Sequence, residues 1–271
     1  MLSVKNNLMA ENTARHLGRA YNSLSKSVER LSSGLRVTGA KDDAAGMAVR
    51  ELLRADIAVL KQAALNANDG ISMLQASEGA LGVIDEILVR MHTLAEQAAT
   101  GTYSDAQLTV MNNEFASLTE EVTRIANTTD FNNKSLISAA ATDLDVHLGN
   151  GSSVTLAAAD MTAAGLGLDV LDISAVGDAE AALVALEQAV IDKDNARAGF
   201  GYVMNRLEAA VSVLQVQGEN LLAAESRISD VDVATEMATM TRNQVLSQAG
   251  VSMLAQANQL PQMALQLLQG G

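Results

Sequence analysis

The feature that most constrains this chain is an apolar spacing of seven residues, present at both ends and again through the middle. Leu17, Leu24 and Leu31 lie seven apart, with Ala14, Tyr21, Val28 and Leu35 on the alternate line. Leu246, Met253, Leu260 and Leu267 repeat the device near the other terminus. A sustained spacing of seven places its residues on one face of a helix and predicts helix-on-helix contact. Two such stripes at opposite ends have three candidate partners: each other, the same helices of other copies, or a membrane surface. A single proline in 271 residues removes the commonest helix breaker, so the helices can be long. Only 2% of residues are aromatic and there is no Trp. The core must come from Leu, Ile, Val, Met and Ala, whose small faces suit closely packed bundles.

Taken in order, residues 1–10 are polar and Asn-rich and read as extended. A helix over 14–35 follows, with Gly34 placed to take a left-handed conformation after its last turn. The connector 34–43 leads to a second helix capped by Asp42 or Asp43. Residues 44–99 read as one very long helix or two, because Asn68-Asp69-Gly70 is a turn signal in its middle. One helix of that length would be about 84 Å long and would need partners along it. Its lines are Leu74, Leu81, Leu88 and Ala95, and Ile84, Met91 and Ala98. Ser104 or Asp105 caps a shorter helix over 105–127. Residues 143–156 alternate polar and apolar around Asn150-Gly151 and predict a β-hairpin. A short strand is expected at Val170–Ile173. The clearest seam runs over 178–229, with Leu186, Phe200, Leu207 and Leu214 on one line. That seam breaks at Lys193 and Arg197, which read either as buried ion pairs between subunits or as a solvated face. A capping signal near Ser229-Asp230 starts a last helix, which Pro261 should kink or restart.

The fold class is therefore mainly α: a long antiparallel helical bundle or coiled coil with a small β-hairpin region at about 138–178. The two halves should pair lengthwise, with the hairpin at the far end.

Several function classes lose support here. The net charge of −14 and the lack of Lys/Arg clusters argue against nucleic-acid binding. No Cys is present, which removes disulfides, thiolate metal sites and thiol nucleophiles. His16, His92 and His147 lack companions at ligand spacing, so no metal or other cofactor is expected, and no catalytic residues. Gly199 and Gly201 lie within a helical seam with no strand before them, unlike a phosphate loop. No apolar run approaches the ~20 residues of a membrane span. No secretory signal peptide is visible, so the chain is expected to be cytosolic or to leave by a route without a cleaved signal.

The motifs carry a resemblance. Arg30-Leu-Ser-Ser-Gly-Leu-Arg, then Ala40-Lys-Asp-Asp-Ala-Ala-Gly-Met-Ala, and near the other end Arg227-Ile-Ser-Asp, Ala234-Thr-Glu-Met, Leu246-Ser-Gln-Ala-Gly and Met253-Leu-Ala-Gln-Ala-Asn-Gln-Leu-Pro-Gln are similar to bacterial flagellin. Val37-Thr38-Gly39 and Phe200-Gly201-Tyr202-Val203-Met204 depart from the usual pattern at the level of packing. The chain resembles a short form without the variable outer domains.

The resemblance implies a structural subunit that polymerises into the flagellar filament for swimming, not an enzyme. It also implies that 44–99 is one continuous helix. Terminal helices 1–36 and 237–271 would form the inner tube, and 37–236 the outer helical domain, with 34–46 as a spoke between them. Leu17, Leu24, Leu31, Leu246, Met253, Leu260 and Leu267 would serve self-assembly. The implied partners are further copies of the chain, an export chaperone at the C-terminal region, and the cap and hook-junction proteins. Export would run through the flagellar type III apparatus to the extracellular filament. Arg90, Leu94 and Glu114 match the region by which many flagellins are bound by the vertebrate flagellin-sensing Toll-like receptor. The alternatives are a hook–filament junction protein of the same superfamily, or a soluble helical binding protein or enzyme. The end helices are expected to be marginal alone and to be completed by assembly.

Overall fold

The computed structural model describes residues 7–149 and 151–269, without the side-chain surroundings of 261, 262 and 264–269. Its elements run α1 (Leu8–Ser33), α2 (Ala44–Ala99), α3 (Asp105–Thr128), β1 (Leu144–His147), β2 (Ser153–Leu156), α4 (Val176–Ser229) and α5 (Val233–Gln269). They fall into two compact units, Met1–Asp56 with Asn220–Gly271, and Ile57–Glu219. The mainly α reading holds.

Local chemistry sets the ends of the elements. Asn7 Oδ1 accepts the backbone N–H of Ala10 and starts α1 six residues earlier than the apolar spacing indicated. Gly34 ends it at φ 72°, its N–H donating to Arg30 O at 2.8 Å. Of the two candidate caps of α2, Asp43 does the work, accepting from Gly46 N at 2.8 Å. Gln107 Oε1 accepts from Ser104 N at 2.9 Å at the head of α3. The cap of α5 is Asp232, which accepts from Ala234 N and Thr235 N, whereas Asp230 accepts from Ser226 Oγ and Ser229 Oγ. The α5 helix continues through Pro261 without a restart.

The Ile57–Glu219 unit holds the large core. Both expected lines of α2 are buried along their length, with Leu74, Leu81, Ile84, Leu88, Met91, Ala95 and Ala98 fully enclosed. Asn68-Asp69-Gly70 does not turn. A Cβ at position 70 would sit 3.0 Å from Val146 Cγ2 and 3.3 Å from Leu207 Cδ1. The glycine therefore admits the hairpin and α4 close to the helix, and packing overrides the local turn preference. On α4, Leu186, Phe200 and Leu207 are buried, as their spacing indicated. Lys193 is buried too. Its ammonium donates to Asp85 of α2 and, at 2.9 Å, to Asp194. Arg197 reaches Glu78 at 3.4 Å. Both seam breaks thus carry ion pairs within the chain, that of Lys193 on a buried ammonium and that of Arg197 on the solvated face.

The hairpin pairs Leu144 with Leu156 and Val146 with Val154 on its inner face. Thr155 Oγ1 donates to Asp145 at 2.6 Å on the outer one. It does not cap the end of the bundle. Arg90 to Glu114 contacts show α3 running back along α2, and 24 residues of helix carry the chain about 36 Å. The hairpin consequently packs beside Val59, Asn66 and Gly70. The chain then returns along α3, with Thr123 Oγ1 accepting from Ala163 N and Asn112 Oδ1 accepting from Ile173 N. No strand forms at Val170–Ile173. Val170 is exposed with no neighbouring strand, and Asp172 takes the Ser174 N–H in a local turn that competes with extended pairing.

Candidate functional site

The terminal unit has a different character from the core unit. Along α1 and α5 only Ser27, Ser247 and Ala257 are fully buried among the described side chains. The two helices nevertheless pack antiparallel, in contact from Asn7 against Ala257 to Arg30 against Glu236. Asn7 Nδ2 donates to Ala257 O at 2.7 Å, and Arg30 lies 3.6 Å from Glu236. A Cβ on Gly250 would meet Leu17 Cδ1 at 3.1 Å, so this glycine sets how closely the helices approach. Leu17, Leu24 and Leu31 line the seam, half-buried. Their companions are small: Ala20 and Ser27 on α1, with Ser247, Gly250 and Ala257 on α5.

The other marked residues fall elsewhere. Ala14, Tyr21 and Val28 point away from α5 and are exposed, so they are not the alternate line of this seam. Leu246 and Met253 are exposed as well, and Leu260 is half-buried. Helical drift of roughly 20° per heptad brings Leu260 back toward the seam. The Leu267 side chain lies outside the described residues. Leu8, Met9, Val245 and Val251 add to the exposed apolar surface. Singly, such residues are ordinary; together they leave an apolar surface on two neighbouring helices. A shallow groove lined by His16, Arg19, Ala20, Ser23, Asn243 and Leu246 runs between them.

A latch ties the connector 34–43 to the α4–α5 junction. Leu35 bridges Asp230, Arg36 N donates to Ser229 O at 2.6 Å, and Val231 N donates to Gly34 O at 3.0 Å. The Arg36 guanidinium donates to Ile228 O, and the buried Arg50 guanidinium to Val37 O. Asp42 accepts from Lys26 at 2.5 Å and from Thr38 at 2.9 Å. Those two bonds hold its carboxyl down at about 2, below the ordinary 3.8. Asp232 is also lowered, by Thr235 above all. Sequence reading missed this latch and the small-residue seam. The signal for the seam was there, since Gly250 and Ala257 lie seven apart.

Charge is divided as sharply as packing. The terminal unit carries 11 Lys and Arg against 10 Asp and Glu, whereas Ile57–Glu219 carries 7 against 22. The chain's net negative charge thus lies wholly in Ile57–Glu219, and the terminal unit is close to neutral, so little net repulsion there opposes association.

Arg90 and Glu114 are exposed and joined by two hydrogen bonds, 2.9 and 2.6 Å, from Nε and Nη2 to Oε1. Leu94 lies buried in the core instead of beside them. Among the described residues no group of three His, Asp or Glu could hold a metal ion, and no helix is long and apolar enough to cross a membrane.

A self-sufficient acidic bundle joined to a neutral helix pair with an uncovered apolar surface defines a helical assembly subunit. Comparison with known proteins says which kind. Residues 4–142 match the bacterial flagellin N-terminal helical region, and residues 183–268 the C-terminal one. Flagellin of Halalkalibacterium halodurans is 41% identical over 269 residues, 98% of this chain and 99% of that protein. Flagellin of Bacillus subtilis is 38% identical over 303 residues, 98% and 100% of the two chains. The crystal structure of Bacillus cereus flagellin matches 59% of this chain and 94% of its own, with a TM-score of 0.51 at 32% identity. This chain belongs to the bacterial flagellin family, as a short form with only residues 157–175 between β2 and α4. It is a structural subunit of the flagellar filament.

Proposed function

We propose that α1 and α5 are the part of the subunit that polymerises, forming the inner tube from about residues 1–36 and 237–271, with 34–46 as the spoke to the outer part. One observation carries this reading. Among the described side chains of two helices of 26 and 37 residues, only three small ones are fully buried, while Tyr21, Val28, Leu246 and Met253 stay open. A helix pair so thinly covered gains its stability from neighbours, and further copies of the chain supply them. Leu17, Leu24 and Leu31 hold the pair together, and Leu246 and Met253 meet the next subunit. Leu260, half-buried, returns toward the seam of the pair itself. The contact is heterologous and does not close into a ring, so copies add along a helix.

The finer partners follow from this placement. An export chaperone covers the apolar face of α5 before assembly, and the chain leaves the cell to polymerise beneath the cap, beyond the hook-junction proteins. A second reading concerns Arg90 and Glu114. Their exposed pair on neighbouring helices offers a charged surface to the vertebrate flagellin-sensing receptor, with Leu94 supporting it from below.

The experiment is seeded polymerisation of purified full-length chain beside a truncation lacking 1–36 and 237–271. The full chain should pellet as filaments and the truncation should stay monomeric. Native filaments from the truncation would overturn the proposal. For the receptor, Arg90→Ala with Glu114→Ala should reduce activation by monomer, and unchanged activation removes the pair from the site.

A further inference from the structure

Of the twelve methionines, Met1 lies outside the described residues, and the others divide by position. Met73, Met91 and Met161 are buried in the core unit, and Met111 and Met204 pack half-buried against it. Met47 and Met240 are half-buried in the terminal unit. The four exposed ones are Met9 at 63%, Met237 at 45%, Met253 at 59% and Met263 at 45%. All four stand on α1 and α5. An apolar thioether left in water is open to two-electron oxidants, whereas a packed one is shielded by its neighbours.

We propose that these four methionines are an oxidation site that governs polymerisation, taking hydrogen peroxide or another two-electron oxidant as co-substrate. The thioether sulfur attacks one peroxide oxygen and the O–O bond breaks. One oxygen stays on sulfur as the sulfoxide and the other leaves as water. Sulfur is oxidised by two electrons, peroxide is reduced by two, and the protons end on the water. Each event turns a flexible apolar side chain into a polar, chiral one. The inference rests on the reading of α1 and α5 as the polymerising surface. There the new S=O dipoles must be buried without designed partners, which is unfavourable. Association closes the site in turn, because sulfur buried between subunits loses its access to oxidant. The chain is thus sensitive before assembly and resistant after it.

The test uses full-length monomer exposed to millimolar hydrogen peroxide, with sulfoxides mapped by peptide mass spectrometry and polymerisation followed by seeded pelleting. Sulfoxide should appear first at Met9, Met237, Met253 and Met263. The critical concentration should then rise at least about tenfold. Methionine sulfoxide reductase should restore it, which separates sulfoxidation from irreversible damage. Preformed filaments should take up oxygen at these positions at least about tenfold more slowly. A variant with Leu at all four positions, compared with its own untreated sample, should show no response to peroxide. The proposal is overturned if fully oxidised monomer polymerises at the untreated critical concentration. It is equally overturned if the loss is not reversed by the reductase, or if Met73, Met91 and Met161 oxidise as fast as the four. Failure of untreated chain to polymerise would instead sink the reading of the terminal helices.

Discussion

Replacing Lys193 by methionine should leave the protein as stable as before or stabilise it by about 1 kcal/mol, although the substitution removes a buried ion pair. The side chain is only 3% exposed, while its partners Asp85 and Asp194 are 38% and 61% exposed. Burying an ammonium costs several kcal/mol, which its carboxylate partners repay only in part. Methionine keeps an unbranched stem on the line of α4 that carries Leu186 and Phe200, and the two carboxylates released can be hydrated where they stand. Removing the other partner has the opposite effect. Asp85→Asn leaves the ammonium buried with only the more exposed Asp194, at a cost of about 2–3 kcal/mol. At roughly 2–4 °C per kcal/mol for a unit of this size, Asp85→Asn should lower the core unit's melting temperature by about 4–12 °C. Lys193→Met should raise it by up to about 4 °C. Calorimetry of dilute full-length monomer at neutral pH measures both. The pH dependence gives an independent check. Burial pushes the Lys193 pKa down, but the bonds to Asp85 and Asp194 outweigh it, so the pKa stands above 10.5. Its contribution is complete below 10.5 and is lost as pH rises through the raised value, so Lys193→Met should gain on the wild type in that range. If Lys193→Met cost 2 kcal/mol or more, as much as Asp85→Asn, the asymmetry argued from exposure would be wrong.

Three further outcomes are expected. Gly34→Ala, which forces a Cβ into φ 72°, should destabilise the terminal unit by about 1–2 kcal/mol, read as faster proteolysis within α1. Phe115→Ala opens a cavity in the core between α3 and its neighbours and should cost about 3–5 kcal/mol in urea denaturation, with the α1–α5 pair unaffected. Asp42 and Asp232 have lowered pKa values, so their contributions are complete above the ordinary 3.8 and fade as pH falls, for Asp42 down to about 2. Helix content of α1 and α5 should therefore drop across that acid range, and Asp42→Asn should flatten the profile.

How much was legible in the residues depended on what each element packs against. The lines of α2 and α4 were readable because both helices bury their seven-residue faces within one chain, where periodicity and burial coincide. Asn68-Asp69-Gly70 misled because glycine's value there lies in the space it leaves for Val146 and Leu207, contacts remote in sequence. Val170–Ile173 misled for the complementary reason, since apolar residues without a partner strand make no ladder. On α1 the large residues Tyr21 and Val28 seemed natural seam members. The actual seam uses Ala20, Ser27 and Gly250, small residues that let the two helices approach closely. The latch from Arg36 and Arg50 to backbone carbonyls was invisible, as arginine pairing with carbonyl groups leaves no periodic trace.

In the proposed filament, the surface left open on α1 and α5 is closed by other copies of the chain. Side-chain footprinting by hydroxyl radicals, comparing monomer with assembled filament, tests this directly. Tyr21, Val28, Leu246 and Met253 should each lose most of their labelling on assembly, while exposed Val184 and Tyr202 of α4 serve as a comparison outside the terminal unit. Unchanged labelling of those four residues in the filament would contradict it.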